Sequence, residues 1–289
     1  MKHALAVALV AVGVAVHAQD RITVPRGPAP GQTVRSRVTQ DMTMTIEPAE
    51  PGAGAPSSGP GTAVPAIPPM TMAMRMVIAQ TMTVGPLDDQ RKYRATIAIE
   101  DATADMTMNG SPMPMPGGLP LARGQLFTIQ YDESRNVSDV SGADAAAVDM
   151  FRKMVEGAMR QLPATPIGIG ETVAVPIALP MPALPTGPLG ELNGEATMTL
   201  RSVATEAGAR LATFDSKFNA TVGSPSNASG PMNLEIRFSG GGTMVYDLDR
   251  GIPKTTDQQG TIDGTMSMPG GAMPAMKMHG TIKSSSANQ

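Results

Sequence analysis

The chain has 289 residues, no cysteine, 16 % charged and 3 % aromatic residues, and a formal net charge of −3 with both signs mixed along its length. This excludes disulfides, thiolate metal centres and cysteine nucleophiles, and it excludes the basic surface that nucleic acid or an anionic membrane would require. The core must therefore be built from aliphatic side chains and methionine, of which there are 24.

The first 18 residues read as a cleavable export signal. Lys2 is followed by an apolar run from Ala4 to Val16 and then by Val16-His17-Ala18, a small-x-small cleavage pattern. The run is shorter than the roughly 20 apolar residues of a membrane span, and no later stretch supplies them. The expectation is an exported protein, periplasmic or extracellular after cleavage near Ala18, with no transmembrane span in the mature form.

From residue 19 to 140 the dominant period is two, the pattern of strands with one buried face. Val34, Ser36, Val38, Gln40, Met42, Met44 and Ile46 alternate with Arg35, Arg37, Thr39, Asp41, Thr43 and Thr45. Met70, Met72, Met74, Met76, Ile78, Met82 and Val84 form a second such set. Runs this long exceed the usual five or six residues of a strand, which predicts bending or a bulge near Gln80. Further strands are predicted at Tyr93–Ile99, Ala102–Met108 and Leu126–Tyr131. The stretches 48–69 and 109–120, rich in proline and glycine, read as loops.

Residues 141–163 change period, and an amphipathic helix is predicted over Ala143–Leu162. Val148, Phe151, Val155, Met159 and Leu162 share a helical face, with Ser141 and Asp144 as a capping box, Asp149–Lys153 and Glu156–Arg160 as i,i+4 pairs, and Pro163 as the stop. Strands resume over 164–285, and a short disordered tail is expected at 286–289. The second stretch echoes the first. Gly31-Gln32-Thr33-Val34 matches Gly170-Glu171-Thr172-Val173, and Thr71-Met72-Ala73-Met74-Arg75 matches Thr197-Met198-Thr199-Leu200-Arg201. The hairpin beginning Tyr131-Asp132 matches the one beginning Tyr246-Asp247. The fold expected is mainly β, one or two strongly twisted antiparallel sheets or a half-barrel, in two tandem similar halves with one central amphipathic helix.

Methionine carries the functional reading. In a strand Met-x-Met places both thioethers on one side. Met42, Met44, Met72, Met74, Met76, Met106 and Met108 in the first half, with Met198, Met244, Met266, Met276 and Met278 in the second, are the candidate lining of an apolar ligand surface, because methionine adapts to varied apolar partners. An alternative is Cu(I), which soft sulfur selects, at Met273, Met276, Met278 and His279. On the strand reading, however, His279 points away from Met276 and Met278. A third alternative is a structural or assembly protein whose methionines simply fill the core.

Asp247-Leu248-Asp249-Arg250-Gly251 fails as an EF-hand and reads as a turn. With no Gly-x-Ser-x-Gly elbow, no phosphate-cradling glycine loop and one histidine beyond the leader, no catalytic residue and no cofactor is expected. The export signal, long alternating strands, central helix and Tyr-Asp hairpins together resemble exported bacterial β-sheet proteins of unknown function and, more distantly, the half-barrels of lipoprotein carriers. That second resemblance implies acyl-chain binding in the periplasm. The partners expected are thus a lipid or other apolar ligand, or an envelope protein.

Overall fold

In the computed structural model the described residues are 21–49, 68–114, 122–142, 144–160, 162–180, 191–223, 233–267 and 275–288. The expected leader, residues 50–67 of the first proline-rich stretch and residues 115–120 of the second lie outside them. Twelve strands and one helix follow one another among these residues: β1 (Thr33–Pro48), β2 (Met70–Val84), β3 (Lys92–Met108), β4 (Ser111–Met113), β5 (Leu126–Asp132), β6 (Val137–Gly142), α1 (Ala145–Arg160), β7 (Thr172–Pro180), β8 (Glu191–Glu206), β9 (Ala209–Gly223), β10 (Asn233–Asp247), β11 (Ile252–Ser267) and β12 (Met276–Asn288). They build a single antiparallel sheet in the order β6-β5-β3-β2-β1-β12-β11-β10-β9-β8-β7, with β4 beside β3. The sheet is not closed, and β6 and β7 are its edges.

Alternation fixes which face is covered. In β1, Val34 and Ile46 are buried while Arg35, Arg37, Asp41 and Thr43 are exposed, so a one-residue slip would turn every apolar side chain outward. The bulge expected near Gln80 is present: Ala79 pairs with Asp101 but Gln80 with Ile99, leaving Glu100 unpaired. This extra residue switches the parity of β3, so that Tyr93, Ala95, Ile97 and Ile99 lie on the same face as Met106 and Met108. Residues 92–108 are consequently one strand, not the two that the parity change suggested.

The matched segments occupy matched places. Gly31 and Gly170 both adopt positive φ, 77° and 83°, and donate to Val84 and Leu200 on β2 and β8. In space β6-β5-β3-β2-β1 and β11-β10-β9-β8-β7 run in the same order. β12 enters between β11 and β1, whereas α1, which follows β6, packs against both edge strands.

The helix is shorter than expected, and its cap differs. Asp144 is the N-cap, its Oδ1 accepting from the Ala147 amide at 2.8 Å. Ser141 instead belongs to β6, opposite Thr128. Asp149 and Lys153 form the expected ion pair, 2.9 Å. Phe151 stacks on Phe127 of β5 with centroids 4.3 Å apart, and Arg152 donates to the Val140 carbonyl of the edge strand. The expected tail is also strand: Ser286, Ala287 and Asn288 pair with Val38, Arg37 and Ser36 of β1.

One end of the sheet is filled. Phe127, Ile129, Tyr131, Tyr93, Ala95 and Ile97 pack with Phe151 in one cluster, and Leu200, Ala212, Phe214, Tyr246 and Leu248 pack with Val24 and Ile167 in another. Residues 21–31 cross this end as a strap. Ile22 pairs with Ile167, the Tyr246 hydroxyl donates to the Pro25 carbonyl at 2.6 Å, and the Tyr93 hydroxyl to the Pro28 carbonyl at 2.9 Å. Tyr93 stacks on Tyr131 at 5.1 Å. Arg135, in the β5–β6 turn, donates to the Gly27 carbonyl. On the strap's other flank the Ala29 amide donates to the Arg250 carbonyl of the β10–β11 turn.

Burial raises all three tyrosine pKa values. Tyr93 is pushed up to about 12 against a partial counter-effect from the Arg135 guanidinium, and Tyr131 and Tyr246 are pushed higher, Tyr131 by burial and the neighbouring Tyr93, Tyr246 by burial tempered again by Arg135. Folded values above the unfolded value mean that this stabilisation is complete below pH ~10 and is lost as pH rises through the folded values. Since the chain holds only three tyrosines, phenolate absorbance should show no step near pH 10. All three should ionise together with unfolding, at about pH 12 or above. A reversible step near pH ~10 in folded protein contradicts this packing.

Candidate functional site

The opposite end of the sheet has another character. Three inner-face rows can be followed across the strands by register. Met42 of β1 lies opposite Met74 of β2, which lies opposite Met106 of β3, which lies opposite Met113 of β4. One step along, Met44 faces Met72 and Met72 faces Met108. In the third row Met70 faces Ile46, and Ile46 faces Met278 of β12. Directly opposed residues carry Cβ atoms about 4.5–5.5 Å apart, so the thioethers are contiguous.

Every methionine of the first two rows, with Met76 beside them, is half-buried. No charged side chain shares these positions. Charge lies on the reverse of the sheet, where Asp105, Arg75, Asp41 and Lys283 stand opposite one another in turn, with Arg75 and Asp41 3.7 Å apart. These outward charges reinforce the register that turns the thioethers inward. Toward the filled end the methionines give way to polar inner-face residues: Ser36 opposite Gln80, and Gln40 opposite Ser284, itself opposite Gln258.

The sequence-derived candidates divide accordingly. Met42, Met44, Met72, Met74, Met76, Met106 and Met108 form one patch. Met266, Met276 and Met278 adjoin it through a cluster with Ile46 and Leu234, in which Met276 and Met278 are buried. Met198 and Met244 do not join the patch. Met198 is buried in the filled end beside Leu200 and Phe214, and Met244 packs against that cluster. The alternative copper set is not assembled: His279 is exposed on the outer face opposite Asp263, while Met276 and Met278 turn inward. Met273 lies outside the described residues.

Met70 and Met113 also belong to the patch. Met70 was legible from its period with Met72. Met113 was hidden because 109–120 reads as loop, whereas Asn109 and Gly110, with φ of 50° and 78°, make the tight turn of a β3–β4 hairpin. Asn-Gly between apolar residues is the available signal for that turn.

The outer face carries two shallow grooves. One, of about 520 Å³, is lined by Thr39, Asp41, Thr243, Asp257, Gln259 and Lys283. The other, of about 380 Å³, involves Glu47, Glu235, Arg237, Asp263, Lys277 and His279. Among the described residues no three His, Asp or Glu side chains form a group able to hold a metal ion, and no helix is long and apolar enough to cross a membrane.

No family model matches the chain, and no curated protein matches it. Among solved structures, it aligns with an enduracididine biosynthesis enzyme, MppR, complexed with the condensation product of pyruvate and imidazole 4-carboxaldehyde. The identity is 12 % over 90 % of this chain and 89 % of that one, and the TM-score of 0.13 carries no argument.

Proposed function

We propose that this is a non-enzymatic exported protein of the cell envelope that binds a lipid or another apolar ligand on its methionine-lined inner face. The observation that carries the reading is the contrast between the filled end of the sheet and the methionine-lined part of β1 to β4 at the other. At one end large side chains are wholly buried around Tyr93, Tyr131, Tyr246 and Phe214. On β1 to β4, at the opposite end, nine uncharged, flexible thioether side chains are only partly buried in a contiguous patch. Apolar surface left partly in water costs about 25 cal/mol per Å², and a contiguous apolar patch reachable from solvent marks an interaction site. Methionine's three rotatable bonds suit it to acyl chains of varied shape.

Export rests on the leader-like first 18 residues and places the encounter in the envelope. The test is native mass spectrometry of the full chain isolated from the envelope of producing cells. Lipid adducts that disappear on delipidation and return on incubation with fatty acid are expected. A chain that carries no lipid and takes up none overturns the proposal.

A further inference from the structure

The apolar-ligand reading treats methionine as a flexible hydrophobe and leaves its sulfur unexplained. Valine and isoleucine suit a half-buried strand better than methionine does, and this sheet uses them freely elsewhere. The row of Met42, Met74 and Met106 continues through Ile282, Gly260, Gly240 and Phe218. The row of Met44, Met72 and Met108 continues through Gly280, Ile262, Phe238 and Ala220. Neither continuation contains a methionine. Within these two rows the thioethers are thus confined to three adjacent strands, β1, β2 and β3, with Met113 of β4 at the margin.

The geometry points to a soft-cation site: we propose that the two rows Met42–Met74–Met106 and Met44–Met72–Met108 bind Cu(I) or Ag(I). Three thioethers per row stand on neighbouring strands at about 4.5–5.5 Å between successive Cβ atoms, and their unbranched side chains can converge on one ion. Half-burial keeps them reachable from solvent. The donor set also selects the ion. Neutral sulfur favours soft Cu(I), while zinc and calcium require histidine, thiolate or carboxylate donors. Among the described residues none of these faces the rows, since the nearest carboxylates along the strands, Asp41 and Asp105, are exposed on the other side. The site differs from one built on His279, which the register turns away.

The site stands independently of lipid binding, and separate titrations of the unaltered chain with metal and with fatty acid distinguish the two. Leucine keeps volume and apolarity but has no sulfur, so Met72→Leu/Met74→Leu should retain the fold while removing two of the sulfur donors. Calorimetric titration of the delipidated full chain with Ag(I), repeated anaerobically with Cu(I), should show saturable uptake of one or two ions. Affinity in the double variant should fall about tenfold or more with an unchanged far-UV spectrum. Met198→Leu/Met244→Leu, at the filled end and outside the patch, should leave uptake unchanged. No saturable uptake by the unaltered chain, or equal uptake by Met72→Leu/Met74→Leu, overturns the proposal; absence of fatty-acid binding by the unaltered chain, with metal uptake present, overturns only the apolar-ligand reading.

Discussion

Phe214→Ala should lower the unfolding free energy by about 3–5 kcal/mol, read from the urea midpoint at unchanged slope. Phe214 is 0 % exposed, lies opposite Leu200 on β8 and Met244 on β10, and shares its cluster with Tyr246 and Val24. Truncation leaves a cavity that flanking strands, fixed on both sides by ladder hydrogen bonds, cannot collapse to fill. The strap would lose support in the same step, because Val24 packs in that cluster. Met74→Ala is the informative comparison. Met74 also lies in mid-sheet between two paired strands, but it is only half-buried, and its truncation should cost about 1 kcal/mol. Equal losses at the two positions would mean that both ends of the sheet are filled core.

Gly251→Ala should cost about 3 kcal/mol, well beyond the ordinary penalty for its backbone conformation. Gly251 has φ of 69° in the β10–β11 turn, and a Cβ there would run into the Gly27 carbonyl of the strap and the Arg135 guanidinium. Gly208, in the β8–β9 turn, has φ of 86° but open space around its missing Cβ. Gly208→Ala should therefore cost only about 1 kcal/mol, the price of a left-handed L-residue. The difference between the two variants measures the close approach of strap and turn. A Gly251→Ala variant as stable as Gly208→Ala would show that the strap is not seated against that turn.

Much of the sheet was legible because alternation is a direct imprint of one-sided burial. Val34 through Ile46 and Met70 through Val84 needed no other signal, and the length of the second run foretold the bulge at Gln80. What escaped was non-local or parity-breaking. Glu100 shifts the phase of β3, so a continuous strand looked like two. Asn109-Gly110 sits beside a proline-rich stretch, and the hairpin it turns was absorbed into a predicted loop. The strap has no period at all: Pro25, Pro28 and Pro30 remove amide donors, and what holds it are carbonyls accepting from Tyr246 and Tyr93, tyrosines far along the chain. Chain order alone also grouped Met198 and Met244 with the other candidates. Only register shows that they fall near the filled end, while Met113 joins the patch.

Fluorescence titration with a fatty-acid probe, on the delipidated chain and on Met72→Asp, tests the open thioether face most directly. Saturable binding by the unaltered chain, weakened about tenfold or more when a carboxylate enters the centre of the patch at unchanged far-UV signal, is the predicted result. Absence of binding, or equal binding by both proteins, would contradict it.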